Sequence, residues 1–265
     1  MLRTRLVTAA VAIPSLWLLV QFLPAALFAG FIGAVVAVAL YEYFAMALPT
    51  TPLERTVGIL YGLVLAAGVI ARRPEIWGAA LAVAVVGGFV LTLLHHTDLG
   101  AAVQRHGLTL LGILYIGFFV PHVVLLRGIP YGWQWVLLTL FTAMGSDSGA
   151  YFAGRTWGRH KLAPAVSPSK TVEGAFGGVG GAIATAIICQ LIFFPALGRR
   201  ETLLLAVAIS VLAQFGDLAE SVLKRAFGAK DSGWIIPGHG GILDRLDSML
   251  LPVVFVYYYA VLSRG

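Results

Sequence analysis

The chain has 265 residues, of which 59% are hydrophobic and only 11% are charged. Its mean hydropathy is +0.91, whereas soluble proteins carry about 25% charged residues. This composition excludes a water-soluble or disordered protein, and the single cysteine, Cys189, excludes an intramolecular disulfide. The net charge of +6 is attributed to membrane topology and contact with anionic lipids. We therefore expect a polytopic membrane protein that does not bind nucleic acid.

Apolar runs separated by charged residues, Pro or Gly predict about nine transmembrane helices. In chain order these runs are 5–22, 25–47, 56–71, 76–94, 107–126, 132–153, 172–195, 202–226 and 248–263. Because backbone polar groups must be satisfied within a bilayer, and no alternating strand pattern is present in the sequence, we expect an all-α fold. The first run is longer than the apolar part of a signal peptide and is interpreted as a retained helix.

The distribution of Lys and Arg between alternate loops predicts the orientation of the chain. One side carries 12 of these residues and the other carries 6. The side with 12 is expected in the cytoplasm together with the N-terminus and the active site. A short chain of this kind favours the inner (plasma) membrane of a bacterium.

Intramembrane charges are rare in the first half of the chain, with Glu42 as the main exception. We therefore expect N-terminal transmembrane helices that form a scaffold over residues 1–130 and a functional region over residues 131–265. Ionisable residues within a bilayer are costly, so those of the second half are candidate site residues.

One group of polar residues recurs at helical spacing near the end of the eighth predicted helix. Asp217, Glu220, Ser221 and Lys224 stand at i, i+3, i+4 and i+7, which puts them on one face. That face combines carboxylates for a cation with an ammonium group for an anion. An internal salt bridge from Asp217 or Glu220 to Lys224 is the alternative.

A glycine-rich segment follows this helix. Its glycines Gly238, Gly240 and Gly241 allow backbone N–H groups to approach an anion, as in phosphate-binding nests. His239 is a candidate general base or metal ligand, or else a hydrogen-bonding loop residue. Asp244 and Asp247 are expected at the start of the last helix, where simple helix capping is the alternative, and the guanidinium of Arg245 suits phosphate.

Two further elements carry polar residues. Ser167, Lys170 and Thr171 precede an apolar helix, where hydroxyls, a cation and a helix N-terminus suit an anion; an N-cap followed by a positively charged loop is the alternative. The glycines of the following helix are interpreted as helix-packing positions. Asp147, between Ser146 and Ser148, either completes a metal site or hydrogen-bonds between helices.

Carboxylates beside Lys and Arg at a membrane surface suit Mg²⁺ on a phosphate-rich substrate, with cations that neutralise charge developing in the transition state. The sequence shows neither a Ser-His-Asp arrangement nor a cysteine nucleophile. This favours a direct displacement over a covalent intermediate, and nine spans favour a lipid substrate.

The residues now form a recognisable signature. The run Ser221-x-x-Lys224-Arg225-x-x-x-x-Lys230-Asp231-x-Gly233-x-x-Ile236-Pro237-Gly238-His239-Gly240-Gly241-x-x-Asp244-Arg245-x-Asp247 closely resembles that of the phosphatidate cytidylyltransferases (CDP-diacylglycerol synthases). The segments Lys161–Gly174 and Gln214–Asp217 are similar to that family as well. The resemblance covers residues 145–250, whereas the first 130 residues match only as hydrophobic spans.

The resemblance implies an enzyme of phospholipid biosynthesis, a nucleotidyltransferase that converts CTP and phosphatidic acid into CDP-diacylglycerol and pyrophosphate. It implies Mg²⁺ as the cofactor and a monovalent cation such as K⁺ as an optional second ion. It also implies an all-helical homodimer in contact with membrane lipids, with dimerisation in the N-terminal region and a polar cavity open to the cytoplasmic side. It further implies that Asp217 and Asp244 bind metal, with Asp147 and Asp247 as additional candidates, and that Asp231 and Asp247 assist. The phosphate-binding surface would comprise Ser221, Lys224, Arg225, Lys230, His239, Gly240, Gly241 and Arg245, closed by Ser167, Lys170 and Thr171.

Two other classes of function compete with this interpretation. A transporter or channel would use Asp147, Asp217 and Glu220 as an ion path, but the sequence shows no internal repeat, and its polar residues cluster at one membrane face. A CTP-dependent lipid kinase, acting on a polyprenol or dolichol, would transfer the γ-phosphate of CTP instead. A CDP-alcohol phosphotransferase is disfavoured because its D-G-x-x-A-R run is missing from the sequence.

Overall fold

The computed structural model describes residues 14–95, 98–233 and 240–264. Residues 14–22 are helical (α1). The elements that follow are α2 (Ala25–Ala47), α3 (Pro52–Ile70), α4 (Pro74–His95), α5 (Leu99–Gly112), a π-helical turn (Ile113–Phe118), α6 (His122–Arg127), α7 (Gly132–Trp157), β1 (Lys161–Ala163), β2 (Ser167–Thr171), α8 (Val172–Phe193), α9 (Arg199–Ala226), α10 (Leu243–Leu246) and α11 (Leu250–Arg264).

The expectation of an α-helical integral membrane protein is confirmed. Among the described residues, six helical stretches have the length and apolar composition needed to cross a membrane. They are Ala25–Ala47, Pro52–Ile70, Pro74–Leu94, Leu99–Arg127, Val172–Phe193 and Arg199–Ala226. The number nine stays a prediction, because half of the first predicted run lies outside the described residues, α7 is interrupted by polar residues, and α11 has only 15 residues.

Large apolar side chains lie on the outer surface as well as in the core. Leu93 and Phe176 are 78% and 75% exposed, as expected for helix faces that contact lipid. Inside, Trp135 on α7 and Tyr43 and Phe44 on α2 are completely buried. This core includes residues of both halves of the chain, so the two predicted regions share one packed interior; their division stays a prediction.

The prediction that the glycines of α8 are packing positions is confirmed. A side chain at Gly177 or Gly181 would collide with the backbone of α7, at Gly149 and Gly145. The two helices therefore pack with their backbones in direct contact, as small residues allow in membranes. Gly180 is the exception in this stripe, since its Cα faces open space.

Three features differ from the sequence-based expectations. Residues 161–171 form an antiparallel two-stranded hairpin, with Lys161 opposite Thr171, and this is a local departure from the all-α expectation. The fifth predicted span contains the π-helical turn. Asp244 and Asp247 do not begin the last helix: Asp244 lies on the short helix α10, Asp247 follows it, and α11 begins only at Leu250.

Candidate active site

A polar cavity lies between α7, α8, α9 and the hairpin. Its volume is about 430 Å³, and Asp147 of α7, Lys170 of the hairpin and Gln214 and Asp217 of α9 are among the residues that line it. The Asp147 side chain is exposed here and lies within electrostatic reach of Asp217 and Lys170. The structure therefore places Asp147 beside Asp217 at one cavity, and both its metal-binding role and its hydrogen bond between helices stay predictions.

The hairpin is fixed over this cavity by contacts with two helices. The Lys170 ammonium group lies 2.8 Å from Asp217 Oδ2, and Arg225 Nε donates to the Val166 carbonyl at 3.4 Å. Thr171 is the N-cap of α8 and accepts a hydrogen bond from Gly174 N–H at 3.1 Å. Lys170 is thus the hairpin residue that reaches the carboxylates, while Thr171 performs the capping role that the sequence left as an alternative.

A second polar network surrounds Lys224. Its ammonium group lies 2.6 Å from both Glu220 Oε2 and Asp244 Oδ1, so the predicted salt bridge within α9 also extends to α10. Asp244 Oδ2 accepts three further hydrogen bonds, from Ser232 N–H, Ser232 Oγ and Gly241 N–H, at 2.8–2.9 Å. Burial alone would raise the pKa of the Asp244 carboxyl, but the bonds from Lys224, Gly241 and Ser232 outweigh it and lower the pKa to about 2.

The described part of the glycine segment binds protein carboxylates. Gly240 has φ +79°, a left-handed conformation that favours glycine. Gly241 N–H donates to Asp244, and the N–H groups of Ile242 and Leu243 donate to Glu42 of α2 at 3.0 and 2.9 Å. These donors therefore bind the chain's own anions, Asp244 and Glu42. The predicted phosphate nest also includes Gly238, which lies outside the described residues, so the nest stays a prediction.

Asp247 lies between the cavity and the Lys224 network. The backbone carbonyl of Asp247 contacts Gly216 of α9. Burial, followed by the negative charge of Asp217, raises the pKa of the Asp247 carboxyl to about 7, and the charge of Asp147 adds to the effect. Three carboxylates, Asp147, Asp217 and Asp247, therefore lie close enough to repel one another.

The remaining predicted residues are less closely associated with the carboxylates. Arg225 is exposed and directed towards backbone carbonyls, and Ser167 lies in the hairpin opposite Ala163. Lys230 and Asp231 are exposed. Ser221 Oγ lies 3.5 Å from Asp217. Arg245 lines a separate apolar cavity of about 200 Å³. His239 lies outside the described residues.

Sequence reasoning missed two residues near the site. Glu42 is buried against the glycine segment, and its signal was a lone acidic residue in an otherwise apolar helix. Tyr115 lies in the π-helical turn; its buried hydroxyl has no hydrogen-bond partner within the described part of the chain, and its phenol lies within electrostatic reach of Glu220, Asp247 and Asp217. Only the fold reveals Tyr115, although π-helical turns often mark functional sites.

The helices and the site together define a membrane protein with carboxylates and lysines around a polar cavity. Residues 3–263 match the cytidylyltransferase family, and the chain belongs to that family. A phosphatidate cytidylyltransferase of Bacillus subtilis is 42% identical over 157 residues, and one of Brucella suis is 41% identical over 153 residues. A phosphatidate cytidylyltransferase of Thermotoga maritima is 29% identical over 269 residues, covering 97% of this chain and 96% of that protein.

The stronger identities cover only part of each relative. The match spans 59% of this chain and 58% of the Bacillus protein, and 57% of this chain and 56% of the Brucella protein. The family therefore follows from these comparisons, whereas the reaction and the substrates of this chain are proposals.

Proposed function

We propose that this protein is a phosphatidate cytidylyltransferase, which transfers the cytidylyl group of CTP to phosphatidic acid and releases pyrophosphate. The observation that carries the proposal is the pairing of site carboxylates with lysines: Asp217 with Lys170 at the polar cavity, and Asp244 with Lys224 in the second polar network. The signature, the family and the names of its relatives support the same reaction.

The donor set fits Mg²⁺. Asp147 and Asp217 line one cavity, and carboxylate oxygens are the ligands that Mg²⁺ prefers. Within residues 14–95, 98–233 and 240–264, three acidic, His or Cys side chains do not converge as a ready-made metal site. This agrees with the usual mode of Mg²⁺ binding, in which one or two carboxylates and the substrate phosphates hold the ion.

We assign the principal metal-binding role to Asp217, with Asp147 and Asp247 as its neighbours. The carboxylate of Asp244 accepts four hydrogen bonds from Lys224, Ser232 and Gly241, so its predicted metal role requires competition with Lys224. When bound, Mg²⁺ neutralises charge on the triphosphate and on the departing pyrophosphate. A second cation such as K⁺ would reduce the repulsion among the acidic residues.

In the proposed reaction, a phosphate oxygen of phosphatidic acid attacks the α-phosphorus of CTP in line. The bond from that phosphorus to the bridging oxygen of the β-phosphate breaks, and pyrophosphate leaves with the electron pair. A dianionic phosphate monoester is already nucleophilic, so the site needs no strong base. Lys170 and Lys224 offer ammonium groups to the charge that develops in the transition state.

The setting of the reaction is proposed along with its chemistry. The lipid substrate would reach the site from the bilayer, since apolar side chains cover the outer surface. The Lys and Arg distribution supports a cytoplasmic N-terminus and active site in an inner membrane. A homodimer is expected from the family resemblance, and crosslinking in native membranes tests it.

The test uses purified protein in detergent with phosphatidic acid, Mg²⁺ and CTP labelled in either its α- or its γ-phosphate. Transfer of α-label into lipid, with pyrophosphate release that stops on addition of EDTA, is expected. Transfer of γ-label would instead establish a CTP-dependent lipid kinase. If folded protein labels lipid from neither position, the cytidylyltransferase proposal is overturned, and ion flux in proteoliposomes would test the transporter alternative.

A further inference from the structure

Glu42 is an acidic residue buried in the half of the chain that carries few charges. It lies on α2, and its side chain is 2% exposed. A carboxylate in such a place is costly unless hydrogen bonds satisfy it. The bonds that it accepts come from about 200 residues further along the chain, at the segment that leads into α10.

The carboxylate of Glu42 caps α10 from outside that helix. Oε1 accepts a hydrogen bond from Ile242 N–H at 3.0 Å, and Oε2 accepts one from Leu243 N–H at 2.9 Å. The first N–H groups of a helix need external acceptors, and Ile242, the N-cap residue of α10, provides no side-chain cap. Glu42 supplies the acceptors for the N–H groups of Ile242 and Leu243.

The same carboxylate contacts the other end of the segment. Ser232 Oγ lies 3.4 Å from Glu42 Oε2 and 2.9 Å from Asp244 Oδ2. A Cβ atom added to Gly233 would lie 2.6 Å from Glu42 Oε1. Glycine at this position therefore lets the backbone approach the carboxylate closely. A continuous chain of contacts runs from α2 through Ser232 and α10 to Lys224 of α9.

We propose that Glu42 is a positioning residue, which caps α10 from α2 and thereby holds Asp244 against Lys224 for cytidylyl transfer. The inference rests on the proposed function. It also explains why an otherwise apolar helix retains a buried acid: Glu42 connects the N-terminal helices to the site.

The test combines hydrogen exchange with kinetics on Glu42→Gln. The glutamine keeps the size of the side chain but replaces one acceptor oxygen by a donor, which faces a backbone N–H. Mass spectrometry should show faster amide exchange in the peptide that contains Ile242 and Leu243, with unchanged exchange in α8. The kcat per folded molecule should fall at least tenfold, while the KM for CTP changes less than threefold.

Two comparisons separate positioning from general destabilisation. Gly233→Ala should reproduce the loss of kcat by pressing a methyl group against Glu42, whereas Gly180→Ala, which meets open space, should not. Glu54→Gln is the matched control. Glu54 lies on α3 and forms an ion pair with Arg105 of α5, so its replacement should leave kcat unchanged.

Either of two results would overturn the proposal: normal amide exchange at Ile242 and Leu243 in Glu42→Gln, or a normal kcat per folded molecule in that variant. A wild-type protein that is folded but transfers no α-label to lipid would defeat the proposed function instead. The exchange measurement would then still decide whether Glu42 caps α10, because it does not depend on turnover.

Discussion

Asp217 and Asp244 belong to one candidate site but lie in two different surroundings. The Asp217 side chain is 32% exposed beside an open cavity, and its close cationic partner is Lys170 from the hairpin. The Asp244 side chain is 10% exposed, and both of its oxygens are engaged by Lys224, Ser232 and Gly241. The first carboxylate is available to a cation and a substrate, whereas the second holds the surrounding backbone in place.

This difference shows that identical side chains in one signature can have different structural and chemical roles. A carboxylate with free lone pairs beside other acids favours a metal ion. A carboxylate that already accepts four hydrogen bonds organises a loop, and its contribution to chemistry depends on the lysine that it orients. Substitutions that remove one function and spare the other can therefore test the distinction.

The largest expected effect is that of Asp217→Asn. Loss of the carboxylate that we propose as the principal metal ligand should reduce kcat by about a thousandfold, which corresponds to about 4 kcal/mol of transition-state stabilisation. The thermal unfolding midpoint in detergent should remain within a degree or two of wild type, because the side chain is partly exposed. Near-normal turnover in the purified variant would defeat this assignment.

Asp244→Asn should impair both activity and stability. The amide would place a donor against Lys224 or against the Ser232 and Gly241 N–H groups, which costs about 1–3 kcal/mol of folding free energy. We expect at least a hundredfold loss of turnover together with a lower unfolding midpoint. An unchanged midpoint, equal to that of Asp217→Asn measured in parallel, would contradict the organising role of Asp244.

Lys170→Met tests the open side of the site. Removing a charged hydrogen-bond donor should raise the KM for CTP about tenfold. The hairpin should stay in place through the hydrogen bond from Arg225 to the Val166 carbonyl and through Thr171, which caps α8. Lys161→Met is the matched control, because Lys161 is an exposed hairpin lysine that is not among the cavity-lining residues. Equal effects of the two substitutions would indicate general loss of positive charge instead of a specific contact.

The smallest effects come from a pair of serines. Ser232→Ala removes a hydroxyl donor 2.9 Å from Asp244, and should lower the free energy of unfolding by about 0.5–1.5 kcal/mol and turnover by a few fold. Ser221→Ala removes a contact of 3.5 Å to Asp217, which is too long to contribute much, so we expect no measurable change. A larger effect of Ser221→Ala than of Ser232→Ala would reverse the comparison.

Much of the fold could be predicted because local rules dominate in a bilayer. The second predicted span, 25–47, coincides with α2, and the seventh and eighth differ from α8 and α9 by at most three residues. Long apolar runs must become helices to satisfy their backbones. The glycines of α8 were correctly interpreted as packing positions, because small residues are typical of close helix contacts in membranes. The hairpin at residues 161–171 was missed, because its polar strands lack an alternating hydrophobic pattern.

The sequence placed two acids and a lysine of the candidate site on one helix face, but it did not reveal their contacts with other elements. Helical spacing is sufficient to place Asp217, Glu220 and Lys224 on one face, since that relation is local. The partners of those residues come from other elements: Lys170 from the hairpin, Asp244 from α10, and Glu42 from a helix that contributed nothing to the signature. The spacing of residues along the chain does not show which residues of distant segments come into contact.

The sequence by itself therefore determined the membrane class, most of the helices and the residue types available for phosphate chemistry, because these depend on composition and on short-range periodicity. Only the tertiary structure decided which carboxylate faces the cavity and which is enclosed by donors. That choice depends on long-range packing, which brings α2, the hairpin and α10 against α9 and thereby distributes a limited number of lysines and N–H groups among the buried acids.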